Sequence, residues 1–136
     1  MLNGRRILLI ISGGIAAYKC LDLIRQLRTN GAAVRCILTK SATEFITPLS
    51  VSSLSGNRVY GDLFSLTDEH DMGHIQLSRD SDVLVVVPAT ANILARMAQG
   101  IADDLATTAL LATDKPVMVA PSMNVHMWEH EATRAN

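Results

Sequence analysis

Aromatic residues are scarce in this 136-residue chain, with one Trp, two Tyr and two Phe. Charge is balanced, 12 Lys+Arg against 13 Asp+Glu, and no basic cluster exceeds Arg5-Arg6. Nucleic-acid binding needs cations for phosphates and aromatic faces for bases, so no nucleic-acid partner is expected. Cysteine is nearly absent as well. Cys20 and Cys36 form no C-x-x-C pair, have no second ligand cluster and lie in apolar stretches, which reads as reduced core thiols in a reducing compartment. Long hydrophobic runs are missing too. Arg5-Arg6 followed by Ile7 to Ile11 imitates the start of a secretion signal, but the run stops at Ser12-Gly13-Gly14. That is too short for a signal core and far from the ~20 residues that span a bilayer. No membrane is expected, and a cytoplasmic protein is. There is no G-x-x-x-x-G-K-[ST] nucleotide loop, no internal repeat and no linker. The length fits one domain, residues 1–136, able to bury roughly two-thirds of its unfolded surface.

What the chain does have is β-branched and leucine-rich runs that each lead into a turn or helix signal. Ile7 to Ile11, Val34 to Leu38 and Val83 to Val87 read as strands covered on both faces, with Val117 to Ala120 a fourth. Ile15 to Leu27 carries Ala17, Leu21, Ile24 and Leu27 at helical spacing and stops at Asn30-Gly31. Ser41-Ala42-Thr43-Glu44 reads as a capping box, and Thr47-Pro48 as an N-cap with proline in the first turn. Arg58 to Tyr60 suits a short strand, and Gly61 to Asp71 a polar functional loop. Ala91 to Ala98 is expected to be helical with Gly100 as its stop, Asp103 to cap a helix through Ala112, and Val125 onward to be helical. Alternating β and α segments predict an α/β domain, a doubly wound parallel sheet of flavodoxin or Rossmann-like type.

Such sheets bind ligands beyond the carboxyl ends of their strands. The segments there are Ser12-Gly13-Gly14, Thr39-Lys40-Ser41, Pro88-Ala89-Thr90-Ala91-Asn92 and Pro121-Ser122-Met123-Asn124, all rich in small, hydroxyl or amide side chains. Small residues and helix N-termini suit a phosphate. Gly13-Gly14-Ile15-Ala16-Ala17 alone is explained about as well by helix–strand packing. A dinucleotide site wants Asp or Glu after the second strand; Thr39-Lys40-Ser41 stands there instead, which favours a terminal monophosphate and a mononucleotide such as FMN. Lys40, at a strand end, is the better phosphate partner, while Lys19 reads as a surface charge.

Taken together, Ser12-Gly13-Gly14-Ile15-Ala16-Ala17-Tyr18-Lys19, Gly73-His74-Ile75-x-Leu77, Pro88-Ala89-Thr90-Ala91-Asn92, Gly100-Ile101-Ala102-Asp103-Asp104-Leu105 and Pro121-Ser122-Met123-Asn124-x-x-Met127-Trp128 resemble the homo-oligomeric flavin-containing cysteine decarboxylases. The likeness runs from Ile7 to Trp128. It implies an FMN site lined by Gly13, Gly14, Ile15, Thr39, Ser41, Thr90, Ala91, Asn92 and Ser122, where the family usually has alanine at the last position. It implies His74 as the catalytic histidine and Asn124 as the holder of the substrate carboxylate. It further implies decarboxylation of 4′-phosphopantothenoylcysteine to 4′-phosphopantetheine in coenzyme A biosynthesis. In that chemistry, oxidation at the carbon bearing sulfur gives a thioaldehyde able to take the electrons left by CO2. A homotrimer or dodecamer is implied, with a ligase domain or protein of the same pathway as a possible partner. The family also carries a cysteine in a C-terminal clamp, a segment this chain does not include, so full turnover is in question. The rival expectations are a non-catalytic flavin-binding regulatory subunit and a peptidyl-cysteine decarboxylase.

Other features read as structural. His126-Met127-Trp128-Glu129-His130 matches H-x-x-E-H and would put both imidazoles on one helix face, but only six residues follow and no zinc site is expected. His70 has no supporting motif. Asn92 and Asn124 could simply cap helices, Asp103 and Asp104 read as a cap with a solvated neighbour, and Met118, Met123 and Met127 as core or interface filler.

Overall fold

The run RILLII forms strand β1 (Arg6–Ile11), buried at every position except Arg6. It is apolar on both faces because it lies at the centre of a parallel sheet. The computed structural model describes residues 1–61 and 73–136, with side chains described through residue 61 and from Ile75 onward. On one side β1 pairs with β2 (Ala33–Leu38), Ile7 opposite Val34 and Ile11 opposite Leu38; on the other it pairs with β4 (Val83–Ala89), Ile7 opposite Val83. The short β3 (Val59–Tyr60) flanks β2, and β5 (Val117–Pro121) flanks β4, giving five parallel strands in the order β3-β2-β1-β4-β5.

Alternate residues of β1 feed two separate cores. Leu9 and Ile11, with Val34, Cys36 and Leu38, pack against Cys20 and Ile24 of helix α1 (Lys19–Thr29) and Val51 of α2 (Pro48–Ser55). Leu8 and Ile10, with Ile37, Leu84 and Val86, pack against Leu77 of α3 (Gly73–Arg79), Ile93 of α4 (Ala91–Gln99), and Leu105 and Ala109 of α5 (Leu105–Ala112). Helices cover both faces, as a doubly wound sheet requires, and each fully buried Leu or Ile contributes roughly 1.5–3 kcal/mol. Among the described residues no helix is long and apolar enough to cross a membrane.

Several local expectations need correction. The segment after β1 begins as a 3-10 turn (Ile15–Tyr18) and becomes α-helical at Lys19, with Cys20 rather than Leu21 its most buried neighbour of Ile24. Ser41–Glu44 is also a 3-10 turn and makes no capping box; the Thr39 hydroxyl caps it by accepting from Ala42 N–H at 3.2 Å. Helix α3 was not foreseen, because its seven residues carry little helical periodicity beyond Leu77. Asp104, not Asp103, caps α5. The last stretch is two short helices, α6 (Val125–Glu129) and α7 (Glu131–Ala135), interrupted at His130. His130 Nδ1 accepts Ala132 N–H there, so the two imidazoles do not share one helix. Among the described residues no cluster fit for a metal occurs. Strand β5 forms as expected, yet all five of its residues are exposed and Met118 is 62% exposed, so that methionine fills no core within this chain. Residues 62–71 of the expected polar loop, including His70, lie outside the described residues.

Candidate functional site

In the order β3-β2-β1-β4-β5 the chain winds one way from β1 to β2 and the other way to β4, so the crevice where the direction switches opens beyond the carboxyl ends of β1 and β4. Ser12 sits at that point and is 2% exposed. Its hydroxyl donates to the Pro88 carbonyl and accepts from Thr90 N–H at 3.4 Å, tying the end of β1 to the end of β4. The Val87–Pro88 peptide there is cis.

Beside it the turn after β1 presses on the turn after β2. A Cβ on Gly13 would lie 2.8 Å from the Ser41 backbone carbonyl carbon, so only glycine fits. Gly14 is looser, its added Cβ meeting Thr90 Cγ2 at 3.2 Å. Gly14 opens the 3-10 turn Ile15–Tyr18 without any side-chain cap. By contrast Thr39, Thr47, Thr90, Asp104, Asn124 and His130 each place a side-chain acceptor on a backbone N–H at the start of the run that follows. The leading N–H groups after Gly14 therefore keep the partial positive charge of a helix start.

A cavity of about 540 Å³ opens at these strand ends, and its lining includes Ser12, Thr39, Lys40, Ser41, Asn92 and Arg96. Thr39 Oγ1 and Ser41 Oγ stand 3.3 Å apart. Lys40 makes no ion pair among the described residues. Across the cavity α4 begins at Thr90, whose hydroxyl accepts from Ile93 N–H at 3.3 Å, and it ends at Gly100 in the left-handed conformation, φ 69°. That turn brings the chain back so that Asp103 reaches Arg96, whose Nη1 lies 3.0 Å from both carboxylate oxygens. Asp104 is spent differently: its Oδ1 accepts Thr107 N–H at 2.8 Å while its own N–H donates to Thr107 Oγ1 at 3.3 Å, a capping box.

Of the residues singled out from the sequence, Ser12, Thr39, Lys40, Ser41 and Asn92 line one cavity. Gly13, Gly14, Thr90 and Ala91 are not in that lining; Gly13 packs on Ser41, Gly14 on Thr90, and Thr90 caps the helix that Ala91 begins. Ile15 is 75% exposed and is not in the lining. Ser122 and Asn124 follow β5: Ser122 N–H donates to the Ala89 carbonyl at 3.0 Å, and Asn124 Oδ1 accepts Met127 N–H at 2.9 Å, capping α6. Among the described residues the Asn124 amide N–H2 donates to nothing. His74 falls in the first turn of α3, but its side chain lies outside the described residues. Sequence reading missed Arg96. The available signal was its position four residues after Asn92, which places both on one helix face.

A five-stranded parallel sheet with a polar crevice at its switch point defines a doubly wound, nucleotide-type α/β domain. The chain belongs to the Flavoprotein family, whose model matches residues 1–136. It is 51% identical over 135 residues to the coenzyme A biosynthesis bifunctional protein CoaBC of Vibrio vulnificus, an alignment covering 99% of this chain and 34% of that protein. The chain therefore spans about a third of the curated relatives it matches. Among solved structures it resembles the FMN-dependent cysteine decarboxylase SpaF, with TM-score 0.89 and 32% identity over 99% of this chain and 78% of that one. It also resembles a PPC decarboxylase C175S mutant complexed with pantothenoylaminoethenethiol, with TM-score 0.83 and 36% identity over 96% of this chain and 74% of that one.

Proposed function

We propose that this chain binds FMN and removes CO2 from 4′-phosphopantothenoylcysteine, yielding 4′-phosphopantetheine for coenzyme A synthesis. The observation that carries the reading is the strand-end cavity, which gathers Ser12, Thr39, Lys40, Ser41 and Asn92. Its volume, about 540 Å³, is in the range of small-molecule sites. The Thr39 and Ser41 hydroxyls and the Lys40 ammonium, which makes no ion pair among the described residues, suit a phosphate monoester; of the carboxylates in the same lining, Asp103 is paired with Arg96 and Asp104 caps α5.

When bound, FMN supplies a two-electron acceptor for the carbon that bears the thiol, the sink that decarboxylation otherwise lacks. Lys40, Thr39, Ser41 and the N–H groups after Gly14 hold its phosphate. Thr90, Ala91, Asn92 and Ser122 flank its remainder, and Ser12 braces the turn after β1 against the turn after β4. Asn124, with its oxygen engaged by Met127 N–H, offers its amide hydrogens to the substrate carboxylate. His74 takes the thiol proton on an imidazole nitrogen, a role suited to a group whose ordinary pKa is about 6.5.

The same reading makes the protein a cytoplasmic homotrimer or dodecamer. The exposed Ile15, Tyr18, Phe45 and Leu49 fit a surface covered by another copy. A ligase of the same pathway is its partner, a link supported by the bifunctional CoaBC relatives. Supplying purified, FMN-loaded protein with substrate labelled in its carboxyl carbon tests the activity. About one CO2 per bound flavin is expected. A flavin-loaded protein that releases none is a binding subunit instead, and release only from a peptide ending in cysteine makes it a peptidyl-cysteine decarboxylase.

A further inference from the structure

Arg96 occupies a position in the cavity wall that no nucleotide-binding pattern explains, and its three described side-chain contacts divide its work. Its Nη1 is held by both Asp103 oxygens at 3.0 Å, and its Nε–H donates to Asn92 Oδ1 at 3.3 Å. A guanidinium has hydrogens to give and no lone pair to offer. The Asn92 atom facing it must therefore be the carboxamide oxygen, and the nitrogen, with two hydrogens, is the free end of this cavity-lining side chain. Among the described residues that nitrogen donates to nothing. An unrestrained asparagine presents either end to a ligand, so fixing one end converts it into a pure donor.

We propose that Arg96, anchored by Asp103, is a positioning residue that locks the Asn92 carboxamide so that its N–H2 donates to an acceptor oxygen of the flavin nucleotide. The inference rests on the FMN reading above and adds to it a specific chain from Asp103 through Arg96 to Asn92. Asp103 also leaves Arg96 electrically neutralised, which separates its role from that of Lys40, the cavity cation with no ion pair among the described residues.

The test is a double-variant cycle on the dissociation constant for FMN, read from quenching of flavin fluorescence, with melting of each apo-protein as the folding control. Asn92→Ala should weaken binding about tenfold, the scale of one lost hydrogen bond, and Arg96→Met about fivefold. The pair together should weaken it about tenfold, no more than Asn92→Ala alone, because Arg96 acts only through Asn92. Asn92→Asp keeps the Arg96 contact but has no hydrogens to give and should bind at least as poorly as Asn92→Ala. Losses that multiply to about fiftyfold, or tight binding by Asn92→Asp, overturn the proposal while leaving the FMN reading intact. Folded wild-type protein that ignores FMN overturns both. If Arg96→Met does not fold, Asp103→Asn, which loosens the same guanidinium, takes its place in the cycle with the same expectation of non-additivity.

Discussion

Replacing Gly13 with alanine should damage both the fold and the site, by an amount the packing lets one work out. The new Cβ would stand 2.5 Å from Ser41 Cβ and 2.8 Å from the Ser41 carbonyl carbon, where ordinary contact begins at 3.4 Å. The second of those atoms is backbone, so relief requires the turn after β2 to move by more than half an ångström. Overpacking of this kind costs about 1–3 kcal/mol. Loss of glycine's freedom in the unfolded chain returns about 0.4–1 kcal/mol, leaving a net destabilisation of about 1–2 kcal/mol. For 136 residues that is a fall in melting temperature of about 3–7 °C. Because Thr39, Lys40 and Ser41 ride on the displaced turn, FMN affinity should fall at least tenfold as well. Gly14→Ala, meeting only Thr90 Cγ2 at 3.2 Å, should be much milder. Thermal melts and FMN titrations of both variants check this. A Gly13→Ala protein with wild-type melting and affinity, or a Gly14→Ala protein hurt more than it, would refute the reasoning.

Three further outcomes are expected. Ser12→Ala strips the Pro88 carbonyl and Thr90 N–H of their shared buried partner and should cost about 1–3 kcal/mol, seen as a lower urea midpoint; an unchanged midpoint contradicts the bracing role. Burial pushes the Cys20 thiol up to about 11 and the Cys36 thiol, which also feels Cys20, up to about 12, from 9.0. The fold therefore favours neutral thiols. Their contribution is fully present below pH 9 and is lost as pH rises through 11 and 12; iodoacetamide at pH 8 should label neither until the chain unfolds, and rapid labelling of native protein would contradict this. His74→Asn should keep bound yellow flavin but lose CO2 release, and decarboxylation by that variant removes the proposed role.

The strand runs and most helix ends were legible because their signals are local. Ile7 to Ile11 has no solvent face to mark, and Thr47-Pro48 and Gly100 carry their turn chemistry in the residues themselves. Strand order was not legible, since it depends on which apolar runs meet in space. Asp103 and Asp104 look alike in sequence. Only the reversal after Gly100 decides that Asp104 turns inward to Thr107 while Asp103 reaches Arg96. Likewise the expected Ser41–Glu44 capping box does not form because Ser41 lies inside a 3-10 turn whose N-cap is Lys40, while the Thr39 hydroxyl accepts Ala42 N–H. The five residues that meet in the cavity were readable from the rule that strand ends converge. The spacing of Arg96 from Asn92 was readable too, but its place in the wall follows from the phase of α4 against the sheet.

The most direct measurement is a titration of folded apo-protein with FMN, following flavin fluorescence and the visible absorption bands. One FMN per chain should bind, with quenched fluorescence, and Lys40→Ala should weaken FMN far more than riboflavin, which lacks the phosphate. Protein that melts cooperatively yet leaves the flavin spectrum untouched would contradict the account.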